Sequence, residues 1–251
     1  YIKGFNRCYE PLRQVQLTPD LAKQYKQMED DLLFSLSEGV DVTAPIALTR
    51  YLRLQQIGSG VAGLESGVQV NLIEPARNPR IAAVVDLLEN ECTNKTIIVC
   101  RFIKSITNLV EVLTSKGYKV ALIVGGMDGL TVEANKRDFN TGPADVLIGQ
   151  IQTLSYGHTL TGSDDRPCDS VIFYENDFSL LNRNQVECRP EKAGRDVTIS
   201  YYDFFSSKMD KYMLSTLIRK EDTSIALMGY AREHGMRTKE SVTEQTKEAT
   251  T

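Results

Sequence analysis

Between residues 96 and 202, short runs of β-branched and aromatic residues alternate with helix-like stretches, and this alternation limits the fold more than any other feature. Strand-like runs are expected at 96–100, 119–124, 146–148, 170–174 and 197–202. Thr96-Ile97-Ile98-Val99-Cys100 has no polar face, so it suits a strand buried on both sides. Between the strands, 103–115 carries apolar residues at helical spacing and ends at Lys116-Gly117, a cation followed by a glycine suited to the C-cap. A second helix is expected over 131–139. Strand–helix alternation of this kind predicts an α/β, three-layer architecture with a mainly parallel sheet, and such sheets receive ligands at the carboxyl ends of their strands.

A helical lead-in precedes the sheet. Arg13-Gln14-Val15-Gln16-Leu17 alternates like a short strand, and Thr18-Pro19-Asp20 then offers a capping hydroxyl with proline at the first helical position. Helices are expected over 18–37, 44–56 and 79–91, the second broken by Gly58-Ser59-Gly60. After the last strand come helices at 206–219 and 225–233. The 236–251 stretch has almost no apolar residues, so a mobile tail is expected. The resulting division is an arm and helical lead-in over 1–93, an α/β lobe over 94–220, and a short helix with a polar tail over 221–251.

Composition narrows the chemistry. The 251 residues suffice for one sizeable core, and no apolar run approaches the roughly 18 residues that a membrane helix needs. A net charge of −4 argues against a globally basic polynucleotide binder, so any such contact is local. Five cysteines, Cys8, Cys92, Cys100, Cys168 and Cys188, form no Cys-x-x-Cys pair and only His158 and His234 accompany them, so no metal site is expected. Dispersed thiols fit a reducing, intracellular compartment. The chain opens on Tyr1 rather than Met, which suggests a piece of a longer protein.

The densest chemistry lies at 182–195, Asn-Arg-Asn-Gln-Val-Glu-Cys-Arg-Pro-Glu-Lys-Ala-Gly-Arg, with Gln185, Arg189, Lys192 and Arg195 in close succession. Read from the residues alone, such a cluster fits a solvated basic helix at a domain surface. The chain holds no Gly-x-x-x-x-Gly-Lys-Ser/Thr phosphate loop of its own.

Other segments fall in a recognisable order. They are Val15-Gln16-Leu17-Thr18 with Tyr25, the helix opening at Asn78-Pro79-Arg80-Ile81, Ile97-Ile98-Val99-Cys100-Arg101-Phe102, Gly125-Gly126-Met127, and Gln150 to Thr161 with Gly157 and Leu160. From about 15 to 220 the chain resembles the C-terminal, RecA-like motor lobe of superfamily-two helicases, most closely Swi/Snf-type translocases and their phage relatives. The resemblance implies that Gln185 and Arg189 face ATP and Mg shared with an N-terminal lobe, with Lys192 or Arg195 as the second finger. It also implies that Arg101, Phe102, Gly126, Thr153, Ser155, Gly157 and Thr159 meet the backbone of DNA, RNA not being excluded. Two departures stand out: Lys192 replaces the family's second arginine and Thr159 its usual asparagine. They favour a competing expectation, a non-catalytic interaction domain with a degenerate motor fold. A nucleotide-sugar lobe of a glycosyltransferase is a third, resting on Glu175 alone.

Overall fold

The computed structural model describes residues 6–37, 44–64, 66–219, 226–227 and 229–230. The chain opens with strands β1 (Asn6–Tyr9) and β2 (Arg13–Gln14), then helices α1 (Pro19–Ser37) and α2 (Ala44–Gly58). A small hairpin, β3 (Val61–Gly63) and β4 (Gln69–Asn71), and helix α3 (Pro79–Asn90) follow. The lobe continues as β5 (Lys95–Cys100), α4 (Ile103–Ser115), β6 (Val120–Ile123), α5 (Gly129–Thr141), β7 (Val146–Gln150) and α6 (Ile151–Leu154). It closes with β8 (Cys168–Phe173), α7 (Leu180–Glu187), β9 (Thr198–Phe205) and α8 (Lys208–Ile218).

All pairings in the seven-stranded sheet are parallel, in the order β1-β9-β8-β5-β7-β6, with β2 also joined to β9. The parallel sheet expected from the alternation is present, and its central strands β5, β7 and β8 are buried as that pattern requires, while the edge strand β1 is exposed. Along β5 and β8, successive side chains enter opposite cores: Ile98, Cys100, Ile172 and Tyr174 pack with α3 and α4, while Ile97, Val99, Val171 and Phe173 pack with Phe139, Leu154 and Val186. Each buried aliphatic contributes roughly 1.5–3 kcal/mol relative to exposure.

The lead-in does not stand apart from this sheet. Helix α3 is started by Asn78, whose side chain accepts from Arg80 N (2.9 Å) and donates to Ser59 O (2.8 Å), and its apolar face completes the first core. The boundary drawn at residue 93 therefore falls between α3 and β5, which share one core. The opening arm contributes β1 and β2 to the sheet edge, where the sequence suggested only a strand at 13–17. Helices α1, α2 and α8 form a third cluster with Leu227 and Tyr230. The helix expected over 225–233 lies largely outside the described residues, and the 236–251 tail lies wholly outside them.

Strand β5 leads through α4 toward β6, and β8 leads through α7 toward β9 on the other side. The two connections diverge between the carboxyl ends of β5 and β8, where a sheet of this kind usually opens a ligand crevice. Here Glu175 closes it. Its carboxylate accepts from Arg101 N (2.8 Å), Phe102 N (2.9 Å) and Ser105 Oγ (2.6 Å), filling the N-terminus of α4.

Candidate functional site

The segment after α7 is folded back onto its own lobe. Arg189 Nε donates to Leu154 O (3.0 Å) and Nη1 to His158 O (3.4 Å), and Nη2 binds Ser155 O. The backbone carbonyl of Arg189 accepts from Leu160 N at 3.0 Å. One guanidinium thus satisfies the open carbonyls left by the short helix α6, and it stitches the 155–160 turn to the end of α7. Burial lowers the pKa of Arg189, though a guanidinium remains charged at any ordinary pH.

Lys192 and Arg195 point to the neighbouring loop. Lys192 Nζ lies 2.7 Å from Asp164 Oδ1, and Arg195 Nη2 lies 2.6 Å from the same oxygen. Arg195 also donates to Thr161 O and, at 3.3 Å, to Gly162 O. The two cations hold the Asp164 carboxyl down at about 2, Lys192 contributing most. Gln185 is half-buried on α7, with no hydrogen-bond partner for its side chain among the described residues.

Arg183, a fourth cation of the cluster, is fully internal. It forks onto Asp203 (2.7 and 2.8 Å), donates to Glu187 (2.6 Å) and Asn176 (2.8 Å), and lies 3.5 Å over the Phe173 ring.

The residues expected to meet a polynucleotide divide into two groups. Gly126 (φ +85°) and Gly157 (φ +46°) sit in exposed turns with open space where a Cβ would project, so backbone conformation, rather than crowding, requires glycine there. Thr159 is exposed, and Thr153 is half-buried beside the turn at Gly125, whose N–H donates to Gln150 Oε1 (3.3 Å). Gly126 lies on the loop after β6, Thr153 in α6, and Gly157 and Thr159 on the loop after α6. Ser155 is instead buried, its hydroxyl donating to Gln152 O (2.7 Å).

Arg101 and Phe102 do not present their side chains as expected. Phe102 is only 4% exposed. The Arg101 guanidinium donates to Gln55 of α2 (3.0 Å) and lies 4.4 Å over the Phe178 ring. Both are drawn inward because Glu175 binds their amides and α2 covers the strand ends. Glu175 is itself buried, so the acid that a nucleotide-sugar lobe would turn toward a ribose is committed to the fold. His158 has its pKa lowered, first by burial and then by Lys136, which keeps the imidazole neutral near pH 7.

Sequence reasoning missed Asp164 and Gln150. Asp164 lies 28 positions from Lys192 and 31 from Arg195, and no local pattern announces the pairing.

Residues 79–194 match the helicase conserved C-terminal domain. Comparison with curated protein sequences returns no match. Among solved structures, the fold is similar to the C-terminal part of the Fun30 ATPase domain (TM-score 0.66, 10% identity, 92% of this chain and 100% of that one). It is similar too to the Sulfolobus solfataricus SWI2/SNF2 ATPase C-terminal domain (TM-score 0.61, 15% identity, 88% and 93%). A third match is the Sulfolobus solfataricus SWI2/SNF2 ATPase core in complex with dsDNA (TM-score 0.60, 16% identity), where 95% of this chain is covered but only 49% of the core. The three-layer, RecA-like architecture expected from the sequence is the fold these lobes share.

Proposed function

We propose, from the premise that this chain carries a helicase conserved C-terminal domain on the fold of a Swi/Snf-type motor lobe, that it works as the C-terminal half of an ATP-driven DNA translocase or helicase. ATP would lie between this lobe and another that supplies the phosphate loop. Magnesium would accompany the ATP and be shared with that other lobe. The contribution of this lobe would be cationic: Lys192 and Arg195, on one short loop, would meet charge that develops on the transferred phosphoryl group.

The observation that carries this reading is the Arg189 stitch. Of the residues proposed to contact a polynucleotide backbone, Gly157 and Thr159 lie in the 155–160 turn and Thr153 in the short helix α6 before it. Gly126 lies on the loop after β6, where Gly125 N donates to Gln150. Arg189 ties the 155–160 turn to the loop bearing Lys192 and Arg195, so movement at one end is transmitted to the other by a single rigid connection. In this role Arg189 couples the two surfaces and need not reach the nucleotide.

The test is DNA-stimulated ATP hydrolysis. This chain alone is expected to be inactive, and a longer protein that includes a phosphate-loop lobe is expected to be active. In that protein Lys192→Ala should lower turnover at least about 100-fold, since removing a finger usually removes about 10³–10⁵, while DNA affinity changes less than about threefold. Hydrolysis by the isolated chain, or equal losses in turnover and affinity, would overturn the assignment. RNA in place of DNA tests the choice of track.

One observation favours a second reading, a non-catalytic clamp: Arg189, Lys192 and Arg195 are already engaged within the chain. It predicts DNA binding without DNA-stimulated hydrolysis in the longer protein.

A further inference from the structure

Lys192 and Arg195 converge on a single oxygen, Asp164 Oδ1, from 2.7 and 2.6 Å. Two cations that share one oxygen form the arrangement that a terminal phosphoryl oxygen would take. The carboxylate is on an exposed loop, with Asp164 side-chain exposure of 80% against 45% for Lys192 and 11% for Arg195. Ion pairs this exposed are weak and exchange readily for another anion. Arg195 is anchored independently, to the carbonyls of Thr161 and Gly162, so it keeps its place when the carboxylate leaves. The position is preformed, and its present occupant is internal.

We propose that Asp164 is a resident competitor for phosphate: it occupies the phosphoryl-oxygen position between Lys192 and Arg195, and a di- or triphosphate must displace it. The proposal deepens the reading of this surface as nucleotide-facing and rests on it for biological meaning. It assigns to the 161–166 loop the regulation of that surface. Swinging Asp164 out exposes two cations at once, while swinging it back discharges the site without any change in the sheet. Because Lys192 and Arg195 keep the carboxyl ionised far below neutral pH, the competitor is present throughout the range in which a motor would work.

The experiment uses this chain and inorganic pyrophosphate, so it is independent of a second lobe and of hydrolysis. Pyrophosphate is titrated calorimetrically into the unaltered chain, Asp164→Asn, and Asp164→Asn combined with Lys192→Gln and Arg195→Gln, each first checked for an unchanged thermal unfolding midpoint. Asp164→Asn is expected to bind about three- to tenfold more tightly, the range set by losing one or two exposed ion pairs, and the triple variant should lose that gain. Equal or weaker binding by Asp164→Asn, or a gain that survives in the triple variant, overturns the proposal. Failure here leaves the motor-lobe reading to its own hydrolysis test, and failure there leaves the phosphate competition measurable.

Discussion

A guanidinium buried without counter-charge would be expelled from a fold, and Arg183 remains because two carboxylates and an aromatic face surround it. At 2% exposure it joins α7 to β9 through Asp203 and to its own helix through Glu187. Arg183→Met leaves Asp203 buried without a cation and Glu187 with only the 3.4 Å pair to Arg7, so it should lower the unfolding free energy by about 3–5 kcal/mol in urea titrations. Adding Asp203→Asn and Glu187→Gln should restore part of the loss. The sequence shows Arg183 only as one more cation in a basic cluster, because its partner lies 20 positions on, across a turn and in another strand. Glu175 offers a pH test at the same scale. Burial raises its carboxyl pKa above the ordinary range, against the opposing pull of Ser105 and the Phe102 and Arg101 amides. The folded state therefore holds that proton more tightly than the unfolded chain. Its contribution to stability is full below the unfolded carboxylate value and is lost as pH rises through the folded one. Glu175→Gln keeps an acceptor for both amides, so its stability relative to the parent should rise as pH climbs from the unfolded carboxylate value through the raised folded one. A difference that stays flat over that window would refute this account.

At the scale of elements, the long apolar patterns were legible and the short polar ones were not. Strands β5 and β8 and helices α3 and α4 appear in the sequence because each presents an apolar run or face. Helix α6 is four residues long, too short for a 3.6 period to register. Helix α7, Leu-Leu-Asn-Arg-Asn-Gln-Val-Glu, hides Arg183 and Glu187 on its inner face beside Val186, so its pattern misleads. The hairpin β3–β4 looked like a glycine-rich break because each strand has only three residues. The candidate site was legible in the same uneven way: its basic segment could be found, but the inward turn of Arg189 depends on carbonyls that only α6 leaves open. Arg189→Met should therefore act locally. Amide hydrogen exchange is expected to accelerate about tenfold over residues 155–160, with the sheet amides unchanged. Protection lost equally throughout the sheet would show that the guanidinium supports the whole lobe instead.

At the scale of the molecule, the helicase-domain match stops at residue 194, while the sheet does not. Strand β9 carries Asp203 for Arg183 and Tyr201, whose hydroxyl donates to Glu187 O (2.7 Å), and it is flanked on its outer edge by β1 and β2. An isolated 79–194 fragment is therefore expected to lack a cooperative urea transition, and a sharp one would contradict this. Removing residues 1–14 alone should lower the urea midpoint and promote association, because it bares a long strand edge. Asn6 and Asp196, hydrogen-bonded across the β1–β9 edge, stand 190 positions apart. Within this lobe, the first described strand pairs with the last described one. At ordinary synthesis rates of about 5–20 residues per second, β1 waits on the order of 10–40 s for its neighbour. For that interval a nascent chain carries an Asn-Arg-Cys-Tyr strand whose backbone groups have no sheet partner, open to pairing with other strand edges.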